Sequence, residues 1–381
     1  MDKNNKILKG CYFAFFVNGM ASLMLGAILP SLLIDFNIGY DKGGMLLAFQ
    51  STGNLIASFL GGIIASQLGR KNSIVLLSTI GVLGFAGMIF TQSPTILLIL
   101  FFMAGISRGG VSNFNNTLVN EISDGAPGPL NILHTFFAVG AFMAPFIASW
   151  FVKIGLDWKY SIGLITILST IMVLIFISMN IIDVEKQGKN TKENKSYDFL
   201  KNLDFYISSG ILFFYVGVEF AVNGWIVTYL IDAGLMNTSL AQKILSLLWV
   251  VIIFGRLFSA YISQTMNKKT IILASSTGVM LFFALFLLSS STWAIVITIL
   301  GLGFCLAGIF PTTVSNAGEI VKNSDLAMGT LLALGGLGGI IMPYITGVVA
   351  ESKGIVGGMI TVILGILFMF LFSLINRFRK N

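Results

Sequence analysis

The chain has 381 residues, 56% hydrophobic and only 10% charged, with 42 Gly and 33 Phe, and its mean hydropathy is +0.91. Soluble domains carry about 25% charged residues, so this composition excludes a soluble enzyme, a disordered or collagenous chain and a nucleic-acid-binding domain. The formal net charge of +7, from 23 Lys and Arg against 16 Asp and Glu, is therefore tested first as membrane topology.

A membrane-spanning helix needs about 20 mostly apolar residues. In chain order such runs fall at about 10–36, 43–67, 72–92, 95–120, 130–152 and 159–182. Six more follow at about 204–232, 242–265, 270–290, 292–318, 326–350 and 354–376. The first run, preceded by Lys3, Lys6 and Lys9, is too long for a signal-peptide core and has no small-residue cleavage site after it, so it reads as a span. The polar stretch Asp183 to Lys201, rich in Lys, Asn and Glu, divides the spans six and six. The expected domains are 1–182, a cytoplasmic linker at 183–203, and 204–381. Cys11 and Cys305 lie in separate apolar runs without CxxC spacing, which argues against a disulfide framework or a metal site.

Orientation follows the basic residues. With both termini cytoplasmic, sixteen Lys and Arg fall in inside segments and five outside, while Arg108 and Arg256 lie within spans. The positive balance is thus a topological signal and calls for no nucleic acid.

An internal repeat accompanies the six-plus-six division. At an offset of 198, Gly140 and Pro145 of span 5 fall on Gly338 and Pro343 of span 11, and Glu121, closing span 4, falls on Glu319, closing span 10. The loop ending in Arg70-Lys71 falls on that ending in Lys268-Lys269, and one residue out of register Leu33-Ile34-Asp35 falls on Leu230-Ile231-Asp232. Two such halves, related by an axis along the membrane normal, place a substrate site between them near the midplane.

On these features the whole chain resembles the major facilitator superfamily. The loop after span 2 is similar to that family's Gly-x-x-x-Asp-Arg-x-Gly-Arg-Lys motif: Gly62, Gly69, Arg70 and Lys71 match, with Ser66 in place of Asp and Gln67 in place of Arg. In the family this loop's charge pair helps hold one closed state, so Gly69, Arg70 and Lys71 are implied gating residues, although the motif acid is missing. Three stretches resemble the fucose permease-like branch of sugar–proton symporters: Leu130 to Ala141 around His134, Tyr215-Val-Gly-Val-Glu219 with Trp225 and Tyr229, and Gly308-Ile-Phe-Pro311. That branch often carries a carboxylate in span 4 where this chain has Ser112 and Asn113, which shifts proton binding toward Glu219 or removes coupling. The resemblance implies an all-α membrane protein of twelve helices in two pseudo-symmetric six-helix bundles.

Ionisable groups within spans are costly, so each needs an account. Glu219 in span 7 reads either as a proton carrier or solute acceptor, or as a structural acid paired across the bundle. Arg108 in span 4 stays charged; it either clamps a carboxylate or phosphate on the solute or pairs with Glu219 across the halves. His134, the single histidine, is either a proton relay or a helix-end residue bonded to backbone, with Asn131 on its face. Asn113, Asn116 and Asn120 form a polar stripe suited to hydroxyl recognition or to interhelical bonding, Asn120 being read as structural. Asn18 and Asn223 add candidate solute contacts. Trp225 either stacks a sugar ring or is an interfacial aromatic. Arg256, near the cytoplasmic end of span 8, reads chiefly as a structural or gating residue beside the loop that follows, able to snorkel. Gly140, Pro145, Gly338 and Pro343 suit close helix approach and bending during rocking of the halves.

No nucleotide-binding loop, nucleophile–base pair or metal-ligand cluster is evident. The expectation is a monomeric, multi-pass secondary transporter of a bacterial plasma membrane, not an enzyme, moving a sugar or sugar acid by alternating access. No cofactor is expected besides the coupling proton, and the partners are the small solute and the bilayer. The alternative is a proton-coupled exporter of drugs or amphipathic metabolites, to which Pro145 in span 5 lends some weight. A non-transporting receptor or scaffold is a third class, opposed by the midplane charges.

Overall fold

The computed structural model describes residues 2–181, 197–318 and 325–379. Among the described residues every regular element is helical: α1 Asp2–Asp35, α2 Tyr40–Leu68, α3 Arg70–Phe90, α4 Pro94–Ile122, α5 Pro127–Lys153, α6 Trp158–Ser178, α7 Leu203–Asp232, α8 Thr238–Ile262, α9 Lys268–Leu288, α10 Thr292–Leu306, α11 Ile309–Asn316 and α12 Asp325–Phe378. Among the described residues, eleven helical stretches are long and apolar enough to cross a membrane, counting Thr292–Asn316 as one. Large apolar side chains such as Phe90, Leu288 and Trp293 lie exposed, as a lipid-facing surface requires.

Local sequence sets most boundaries. Ser93 accepts from the Ile96 N–H just before Pro94, and Asp157, Asn202, Asn267 and Ser291 cap α6, α7, α9 and α10 in the same way. Gly69, at φ 79°, joins α2 directly to α3. Three boundaries differ from the hydropathy reading. α1 continues through the polar turns before residue 10, since helix formation does not require apolar residues. The tenth run is interrupted at Ala307–Gly308, between α10 and α11; Pro311 cannot donate to the Ala307 carbonyl and its ring crowds it. The last two runs form one continuous helical stretch, α12, broken at Gly354 (φ 73°, ψ 168°), a conformation close to glycine-only.

The chain divides into two compact units, Met1–Gln187 with Thr238–Ser246, and Gly188–Asn237 with Leu247–Asn381. The expected linker at 183–203 and Glu319 lie largely or wholly outside the described residues.

In the first unit, α1 packs chiefly on α5, α2 on α4, and α3 on α4 and α6. Its core gathers Phe15, Ile74, Leu77, Phe114, Leu133 and Phe176. At the α1–α5 crossing, a Cβ on Gly140 would overlap the Phe16 carbonyl and one on Gly19 would overlap that of Phe137. α2 and α4 share a longer seam. Gly105 and Gly109 rest on the carbonyls of Gln50 and Asn54, and one turn on Asn113 Nδ2 donates to the Ser58 carbonyl at 2.6 Å. The spacing of four on both helices makes this a parallel small-residue seam closed by an amide. Trp158 Nε1 ties α6 to Asp35 of α1 at 2.6 Å, and Gln242 Nε2 in the segment Thr238–Ser246 donates to the Ala27 carbonyl at 3.0 Å.

In the second unit, α7 packs on α12, and α9 on α10, α11 and α12. A core of Phe205, Leu212, Ala317, Ala327 and Leu331 closes one end, where Arg379 Nε meets Asp204 at 3.2 Å. A Cβ on Gly338 would overlap the Phe213 carbonyl, so α12 approaches α7 as α5 approaches α1. The registers match the sequence repeat: Gly140 to Gly338 is an offset of 198, while Phe16 to Phe213 is 197, the one-residue slip already seen at Asp35 and Asp232.

Candidate functional site

In the second unit, α7 and α8 bring together Tyr215, Glu219, Asn223, Trp249 and Arg256. The three α7 residues repeat every fourth position and share one helical face. The Tyr215 hydroxyl donates to the Glu219 carboxylate, which also feels the positive charge of Arg256. Arg256 lies over the Trp249 ring, 5.9 Å from its centroid, in cation–π geometry. Trp249 Nε1 in turn donates to Asn223 Oδ1 at 3.1 Å.

The polar atoms are sorted by this network. An indole can only donate, so it holds the oxygen of Asn223 and leaves the NH2 group for another acceptor. Tyr215 and Trp249 are buried, whereas Glu219, Asn223 and Arg256 are half-buried. The aromatic groups are thus held in the bundle, and the acceptor, donor and cation beside them keep partial exposure.

Arg256 turns back toward the middle of α8, away from the loop after Ile262. The Trp249 ring two turns earlier on α8 gives the guanidinium a partner within the bundle. Trp225 differs from the ring-stacking expectation: it is fully buried and its indole donates to the Pro343 carbonyl at 2.9 Å. It joins α7 to α12 and presents no free face. Tyr229 is likewise buried, its ring 5.3 Å from Phe286.

The first unit holds the second group of candidates. Arg108 is 8% exposed and Asn18 5%, and Asn18 Nδ2 donates weakly to the Arg108 carbonyl at 3.5 Å. Arg108 Nε and Asn18 Oδ1 are buried without a hydrogen-bond partner, a costly state for both. Asn113 spends one amide N–H on the α2 seam, and Asn116 spends one on the Ser112 carbonyl of its own helix at 2.8 Å, so each has its amide oxygen and a single remaining N–H for a solute. His134 and Asn131 are exposed on the first turns of α5; the His134 ring meets Phe15 edge-on at 5.5 Å. Pro145 and Pro343 lie inside α5 and α12.

At the loop after α2, Arg70 makes a bidentate ion pair with Glu121 at the end of α4, at 2.6 and 2.8 Å. The acid missing from the loop itself is thus answered by one on α4. Lys71 follows half-buried on α3. In the second unit Lys268, at the repeat position of Arg70, reaches the Ser315 carbonyl near the end of α11 at 3.2 Å.

Tyr215 and Trp249 are partners that the sequence reading missed. Tyr215 stands four residues before Glu219, a visible spacing; Trp249 joins only through the packing of α8 on α7.

Comparison with known proteins gives a consistent picture. A family model described as Major Facilitator Superfamily matches residues 11–343. The glucose/mannose transporter GlcP of Bacillus subtilis is 23% identical over 88% of this chain and 86% of its own length. Bypass of stop codon protein 6 of Saccharomyces cerevisiae is 23% identical over 91% of this chain and 77% of its own. Among solved structures, a mutant form of the nucleoside transporter NupG superposes with a TM-score of 0.82 at 17% identity, over 98% of this chain and 100% of that one. A bacterial homologue of the lysosomal transporter Spinster superposes at 0.79 with 13% identity, over 99% and 97%.

Proposed function

We propose that this chain, which belongs to the Major Facilitator Superfamily, moves a sugar or sugar acid across a bacterial plasma membrane by alternating access, coupled to proton symport. Its fold and relatives are those of integral, multi-pass membrane transporters, not enzymes. The proposal includes twelve spans, with α12 supplying two about Gly354, both termini cytoplasmic, and a monomer as the working unit.

The polar face of α7 and α8 carries the solute reading. A carboxylate and an amide NH2 four residues apart on α7, with a guanidinium from α8, match the alternating acceptors and donors of a polyhydroxylated ring. The glucose/mannose transporter among the relatives supports a sugar. Arg108 and Asn18, each with an unpaired buried atom, supply a second candidate set, and Arg108 favours solutes that bear a carboxylate.

Glu219 is the proposed proton site. Protonation would cancel its attraction for Arg256 and turn the carboxyl from pure acceptor to donor, so charge state and solute contact are coupled at one atom pair. His134 is a proposed relay, and Asn131, Asn113 and Asn116 are proposed secondary contacts. The test is uptake into proteoliposomes under an imposed proton gradient. Glu219→Gln should abolish accumulation above equilibrium while leaving exchange of labelled for unlabelled solute; full gradient-driven accumulation by that variant would overturn the coupling role.

A further inference from the structure

Beyond the transport site, we infer that the first unit carries a binding site for an anionic phospholipid headgroup between the start of α1 and the end of α6. A cavity of about 560 Å³ opens there, lined by Lys6, Ile7, Lys9, Gly10, Phe13, Ile175, Ser178, Met179 and Asn180. Its wall has two chemical zones. Lys6 and Lys9 lie on consecutive turns of α1, both exposed, with Ser178 and Asn180 opposite them where α6 ends. Phe13 and Ile175, about one turn further along α1 and α6, continue the wall with apolar groups, while Ile7 and Met179 stand among the polar ones.

Three observations select the occupant. The lysines stand in the polar turns immediately before the apolar run of α1, which is the depth of phospholipid headgroups. Among the described residues that line the cavity, Lys6 and Lys9 are the charged groups, and both are positive. The apolar zone begins where acyl chains begin, so a molecule anionic at one end and hydrocarbon at the other fits both zones. A cavity of this size lies within the range of small-ligand sites. Gly10 keeps it narrow on one side, since a Cβ there would overlap the Met179 side chain. Basic pockets between helices on the positively charged membrane side favour anionic lipids by electrostatics.

The experiment is native mass spectrometry of the detergent-purified full chain, titrated with phosphatidylglycerol, with zwitterionic phosphatidylethanolamine, and with inorganic phosphate. The wild-type chain should retain phosphatidylglycerol in preference to phosphatidylethanolamine, and millimolar inorganic phosphate should not displace it. The double variant Lys6→Gln/Lys9→Gln should weaken phosphatidylglycerol retention about ten- to thirty-fold, in line with two surface cations. Lys6→Arg/Lys9→Arg should restore it, and Arg377→Gln, an exposed cation of the second unit, should leave it unchanged. Equal retention by the wild type and the Gln pair overturns the site, and displacement by inorganic phosphate overturns the lipid in favour of a free anion. Because both lysines are exposed, the Gln pair should fold; matched thermal unfolding of the Gln and Arg pairs verifies it. The readout uses no transport, so either result leaves the proposed transport function to its own test.

Discussion

Asn223 is oriented by Trp249, whose indole N–H occupies its amide oxygen at 3.1 Å. Removing that donor leaves the amide free to rotate, and a solute would then have to hold it in place. Trp249→Phe should therefore raise the half-saturating solute concentration about tenfold, the equivalent of one hydrogen bond of about 1–1.5 kcal/mol. Its maximal rate should change much less, and initial-rate uptake measurements separate the two effects. Arg70 and Glu121 form a different kind of pair, bidentate but partly open to water at 24% and 39% side-chain exposure. Screening limits such a pair to about 0.5–1 kcal/mol. A double-mutant cycle with Arg70→Ala and Glu121→Ala, read by denaturant or thermal unfolding in detergent, should return a coupling of that size, smaller at high salt. The Tyr215 and Asn223 positions beside Glu219 were legible as a spacing of four along α7. The Trp249 and Arg256 contributions were not, because nothing in the chain's order says which residues of α8 face α7.

Two kinds of glycine in the helices serve unlike purposes. Gly140 and Gly338 have no room for a Cβ because a carbonyl of the neighbouring helix stands in the way. Gly140→Val and Gly338→Val should each cost about 1–3 kcal/mol or more through overpacking. Because the two seams are repeat counterparts, the two losses should be alike, as paired thermal unfolding will show. Gly354 has nothing within 4 Å of an added Cβ, yet its φ of 73° suits no L side chain. Gly354→Ala should cost about 1–3 kcal/mol purely as backbone strain. Hydropathy recovered the long apolar elements but not the break at Ala307–Gly308, because it counts apolar residues while Pro311 acts through a missing N–H and a steric clash. It likewise left open whether the span 4 amides met solute or helix; Asn113 bonds α2 because Gly105 and Gly109 bring that backbone within reach.

At the scale of the molecule, sixteen inside cations against five outside predict that both termini face the cytoplasm. Reporter fusions or membrane-impermeant labelling of single cysteines at the two ends should give the same, inward result for both. Labelling of one end from outside would refute the orientation while leaving the fold intact. The matched glycine seams make each half a copy of one packing scheme, seen within each unit and anticipated by the repeat.

The amino-acid sequence by itself determined the membrane class, the run of apolar helices and the family, because these depend on composition, period and motif. It also marked Glu219, Arg108 and Arg256 as charges needing partners. Only the tertiary structure decided the contacts: Tyr215 and Trp249 around Glu219 and Arg256, none for Arg108 Nε among the described residues, and, for the uncharged candidates, the Pro343 carbonyl for Trp225 and the Ser58 carbonyl for Asn113. The reason is physical. A span's hydropathy is a sum over its own residues, whereas a partner is chosen by how two helices rotate and approach, which small residues and backbone carbonyls on the other helix control.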